Sequence, residues 1–66
     1  MNPVLAWMQE HIDYWTRERQ LAEDILRLTP SSETGTLREQ QMRKMLATRI
    51  IHQLETLENE VKRGDS

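Results

Sequence analysis

The chain contains no cysteine, so neither a disulfide nor a thiolate zinc site can hold it together. Glycine and proline number two each and fall at segment ends or in one central cluster. That sparseness reads as a structured chain rather than a disordered one. No apolar run approaches the roughly 20 residues that span a bilayer, so no membrane association is expected. The opening MNPVLAWMQEH has no basic stretch and no sustained apolar core, so no secretory signal is expected either. The net charge of -2 is small beside a charged fraction of 30%, and it favours neither a nucleic-acid tail nor a membrane-seeking one. These absences point to a cytoplasmic protein.

What is present is one small domain of 66 residues. At this size apolar burial and chain entropy nearly cancel, so folding calls for a staple or a partner. The staples are missing. Two histidines alone make a poor metal site, and oligomerisation or complex formation is left as the source of extra burial.

Asn2-Pro3 predicts a helix start: Asn accepts from orphan backbone N–H groups, and Pro suits the first helical position. Helical periodicity runs to Leu28, where Thr29-Pro30 blocks continuation. The turn-rich TPSSETG follows, and the Thr36/Glu39 capping-box spacing predicts a second helix from about Leu37 to Arg63. Gly64 is expected to end it in a left-handed conformation. A helix over 3–28, a loop over 29–36 and a helix over 37–63 imply an all-α, antiparallel two-helix hairpin.

The first helix carries two apolar seams at about 100° per residue. Leu5, Met8, Ile12, Trp15, Arg19, Ala22 and Leu26 form one. Val4, Trp7, His11, Tyr14, Glu18, Leu21, Ile25 and Leu28 form the other, about 110° away. The second helix offers a single stripe: Ala47, Ile50, Leu54, Leu57 and Val61, with Leu46 and Ile51 on its flanks. One stripe covers one seam. The other would stay in water, which predicts that a second copy or another helical protein covers it. A dimeric four-helix bundle is the simplest closed arrangement. Association is therefore assigned to Trp7, His11, Tyr14, Glu18, Leu21, Ile25 and Leu28, with Trp15 in the hairpin core.

Polar residues interrupt the seams. Glu18, Arg19 and Arg43 are candidates for a register-setting contact, either Glu18–Arg43 or Glu18 to Arg19 of a second copy. The alternative is that these long side chains snorkel to water. Catalysis finds little support: a bundle-type metal cluster needs Glu-x-x-His repeats, which are absent, and no glycine-rich phosphate loop exists. No enzymatic activity and no cofactor are expected.

The outer strip of the second helix holds Arg38, Gln41, Met45, Thr48, Arg49, His52, Thr56, Asn59 and Arg63, without a carboxylate. Doubled in a dimer, it forms a basic face of the kind that meets folded RNA. In size and architecture the chain is similar to plasmid-encoded RNA-binding helical hairpins. Met42 and Met45 argue instead for a protein-docking surface, with Arg38, Arg49 and His52 around it. The leading expectation is a non-catalytic adaptor, regulator or chaperone-like subunit that associates by helix packing. In architecture it resembles secretion co-chaperones and small phage or plasmid regulators. The alternative is an RNA-binding bundle.

Overall fold

Asn2 opens the first helix as its composition demands. In the computed structural model, which describes residues 2–64, the Asn2 side-chain oxygen accepts from the Val4 N–H at 2.9 Å while its own backbone stays extended. Helix α1 (Pro3–Leu28) then runs without interruption to Thr29, whose extended conformation (ψ 128°) is the one a following proline enforces. The Thr29 N–H reaches back to the Leu26 carbonyl, and its hydroxyl donates to the Ile25 carbonyl, so two of the helix's last acceptors are satisfied.

Helix α2 (Thr34–Gly64) begins three residues before the expected Leu37. The Glu33 N–H closes a turn on the Pro30 carbonyl at 3.0 Å, and the Glu33 carbonyl accepts the first helical bond, from the Leu37 N–H at 3.1 Å. Glu33 thus takes the capping position, and Thr36 and Glu39 lie inside the helix instead of boxing its end. The connection shortens to residues 29–33. At the other end Gly64 stays helical: no described residue has a positive φ, so the expected left-handed stop does not occur there. Lys62 and Arg63 occupy the last turn, where a positive charge meets the negative end of the helix dipole.

The two helices pack side by side as an antiparallel hairpin measuring 52 × 15 × 12 Å between Cα extremes. Nothing lies beneath a second layer, so the core is one seam wide. From α1 it takes Met8 and Ala22, both buried, with Leu5, Ile12, Trp15, Arg19 and Leu26 half-buried along the same three-four alternation. From α2 it takes Gln40, Ala47 and Ile51, with Leu37, Leu54, Glu58 and Val61 half-buried. Ala22 and Ala47, each 1% exposed, let the two backbones approach closely.

This seam corrects the one expected for α2. Ile51 is core rather than flank, while Leu57 is 46% exposed and Ile50 half-buried. The heptad set 40, 47, 54, 61 interleaved with 37, 44, 51, 58 fits the alternation of α1, so the seam keeps Ala47, Leu54 and Val61 and exchanges Ile50 and Leu57 for Ile51 and Glu58, a turn of about 40°. Polar members of that set are accommodated by their stems. Glu58 keeps only 14% of its side chain exposed and meets Lys62 at 3.5 Å. Lys44 leaves the seam to reach Glu23 at 3.8 Å.

Candidate interaction surface

Stepping back one residue from either seam turns each helix by about 100°, and in an antiparallel pair both turns point to the same side of the hairpin. On α1 that step gives Val4, Trp7, His11, Tyr14, Glu18, Leu21, Ile25 and Leu28. On α2 it gives Arg43, Leu46, Ile50, Gln53 and Leu57. The two rows meet in a depression lined by Tyr14, Trp15, Glu18, Arg43 and Leu46, which confirms that they share one face.

This face is apolar and open. Trp7 is 52% exposed, Tyr14 50%, Leu21 48% and Leu28 83%, and Val4, Leu46 and Leu57 are similarly uncovered. Ile25 is half-buried. Stepping forward instead gives Gln9, Asp13, Thr16, Gln20, Glu23 and Arg27 on α1, a hydrophilic row held by local bonds such as Gln9 to Asp13 and Gln20 to Asp24, both 3.0 Å. On α1 the two sides are sharply distinct, while on α2 the forward side keeps Met45 65% exposed.

The aromatic residues on the apolar side are held in place by their own helix. The His11 ring lies 4.2 Å from that of Trp7 at 40°, and His11 Nδ1 is 3.0 Å from the Trp7 carbonyl. A carbonyl only accepts, so Nδ1 is the donor in this contact. Tyr14 meets Trp15 edge-on, with centroids 5.2 Å apart at 87°.

At the centre of this face Arg43 Nη2 donates to Glu18 Oε2 at 3.1 Å. The contact proposed for Glu18 therefore exists within one hairpin. It does not arise as expected, because Arg43 lies beside the seam and is exposed, Lys44 holding the seam position instead. Glu18 is 28% exposed at its side chain, neither buried nor free in water. Arg19 is half-buried on the inward seam and shares no face with Arg43.

The residues named on the outer side of α2 are brought together in part. Leu26, Gln41, Lys44, Met45, Thr48, Arg49 and His52 line an open groove of about 750 Å³. Arg38 and Met42 lie outside it, each exposed, Met42 at 65%. The hydroxyls of Thr48 and Thr56 donate to the Lys44 and His52 carbonyls at 2.9 Å, so this strip spends donors that phosphate recognition would use. Among the described residues no group of three His, Asp or Glu is placed to hold a metal ion, and no described helix is long and apolar enough to cross a membrane.

The signal that sequence reasoning missed is the second heptad row of α2. Ala47, Leu54 and Val61 belong to the expected stripe as well, and only a row that admits Lys44 and Glu58 beside Leu37 places Ile51 in the core and turns Leu46, Ile50 and Leu57 toward the α1 row. The chain matches no known protein family, no curated protein and no solved structure.

Proposed function

We propose that this protein is a non-catalytic interaction module that works by helix-to-helix packing through its apolar face, as an adaptor, regulator or chaperone-like subunit. The observation that carries this reading is the segregation itself. Trp7, Tyr14, Leu21, Leu28, Leu46 and Leu57 are all about half exposed or more and all on one side. Single apolar residues on a surface are ordinary, but six large ones gathered on one side mark an interaction site. Trp and Tyr at the middle of such a patch are the residue types that dominate association energy.

Light scattering on the intact chain, with tryptophan emission recorded in parallel, tests the reading. Leu21→Glu places a charge in the face and abolishes association, while Thr48→Glu on the outer side leaves it unchanged. A chain that stays single at high concentration, with emission indifferent to Leu21→Glu, would remove the reading.

The second reading, RNA binding by α2, rests on Arg38 and Arg49, which have no ion-pair partner among the described residues, in a strip without carboxylates. A salt titration against mixed RNA separates the two: phosphate contacts weaken steeply with salt, and substituting both arginines by Gln abolishes them without touching the oligomer.

A further inference from the structure

We infer that the occupant of the apolar face is a second copy of this chain, lying with its α1 antiparallel to α1 about a two-fold axis level with Thr16. The inference rests on the interaction-module reading and names its partner and register.

The exposed row of α1 is self-complementary. Its members fall at 4, 7, 11, 14, 18, 21, 25 and 28, a spacing that reads the same from either end. Reversing the helix about its centre sets Val4 against the second copy's Leu28, Trp7 against its Ile25, and His11 against its Leu21. An isologous two-fold contact needs this property, since each residue must meet the image of its own partner.

The polar layer nearest the axis closes as well. Reversal sets Tyr14 against the second copy's Glu18. Glu18 Oε2 already accepts from Arg43 at 3.1 Å, which leaves Oε1 to accept the phenol O–H across the axis. The carboxylate is neutralised within its own hairpin and hydrogen-bonded by the other, so its burial does not strand a charge. Leu46, in the same depression as Tyr14 and Glu18, lies at this level and draws the two α2 helices into the contact.

The face leaves enough uncovered for such a contact: Trp7, Tyr14, Leu21, Leu28, Leu46 and Leu57 each stay about half exposed or more, and a standard stable interface covers roughly 800 Å² of each partner.

Absence of native cysteine makes the register directly readable. His11→Cys and Leu21→Cys chains are mixed and treated with a short bis-maleimide, with solution mass measured on the wild type. Expected are a two-chain mass and a crosslink in the mixture. His11→Cys alone gives none, because its two thiols lie about 15 Å apart along the axis. A parallel mixture of His11→Cys with Ile50→Cys links only if α1 lies against the partner's α2. Tyr14→Phe weakens the dimer by about 100-fold or more and keeps its register, two symmetry-related hydrogen bonds to charged acceptors being lost. A dimer that links 11 to 50 overturns this pairing and leaves the interaction module standing. A chain that remains monomeric overturns both.

Discussion

Arg43 and Glu18 are 25 residues apart in sequence and joined at 3.1 Å, the one hydrogen bond between side chains of the two helices among the described residues that also bridges charge on the apolar face. It sits at an edge of the seam, with 45% of the Arg43 side chain and 28% of the Glu18 side chain exposed. Exposed pairs contribute little, so a double-mutant cycle through Glu18→Gln and Arg43→Gln, read by urea unfolding at low protein concentration, gives a coupling of about 0.2–1 kcal/mol. A coupling several times larger would mean that the pair is shielded from water even in the lone hairpin.

Gln40 holds a seam position at 7% exposure, and its Oε1 accepts no hydrogen bond among the described residues. An unsatisfied buried carbonyl costs about 1–3 kcal/mol. Gln40→Leu removes the cost and adds apolar burial, so it raises the unfolding midpoint, by about 4–8 °C per kcal/mol for a domain of this size. Thermal unfolding followed by circular dichroism checks it. A lower midpoint would show that Gln40 makes a bond worth keeping.

Two branched residues of α2 distinguish the seam as found from the apolar stripe. Ile51 is 6% exposed and Leu57 is 46% exposed. Ile51→Ala costs about 2–5 kcal/mol of hairpin stability, enough to unfold so small a domain. Leu57→Ala costs the hairpin about 1 kcal/mol or less, consistent with its half-exposed side chain. Denaturant midpoints for the two variants, measured under dilute conditions, rank in that order; the reverse order would restore Leu57 to the core.

How much of this could be read from the residues alone follows from that contrast. The start and stop of α1 are written in local chemistry, and Asn2, Pro3, Thr29 and Pro30 declare them without tertiary information. The double seam of α1 is equally plain, because its apolar residues obey helical spacing over the whole element. The rotation of α2 is not, since it is decided by which residues tolerate the seam opposite α1. There Gln40, Lys44 and Glu58 are carried by their stems and by Ala47, whose small side chain sets how closely the backbones approach. The start at Thr34 was hidden for a similar reason: a backbone turn from Pro30 to Glu33 outcompetes the side-chain capping that Thr36 and Glu39 advertise.

Ala22 and Ala47 each leave 1% of their surface exposed in a core one seam wide. A larger side chain at either has no second layer into which to expand, and the helices must separate. Ala47→Leu therefore destabilises by about 1–3 kcal/mol despite its added apolar area. Ala6→Leu, at an exposed site on the same fold, stays within about 0.5 kcal/mol of the parent. Paired urea titrations measure both.

The smallness of that core has a thermodynamic consequence for the whole chain. Among the described residues five are buried, one of them a glutamine, against the ordering of two long helices. Backbone and side-chain entropy cost about 1.5 kcal/mol per ordered residue, a debt that so few buried groups scarcely meet. If the apolar face is covered by a second copy, folding and association are linked, and the melting temperature depends on concentration. A 100-fold rise in protein concentration supplies about 2.7 kcal/mol of that linkage, RT ln 100, and moves the midpoint upward by on the order of 10 °C. Melts of the wild type across that range, beside Leu21→Glu as the uncoupled reference, decide the matter. Coincident wild-type curves would mean that the hairpin's stability resides wholly in its own narrow seam.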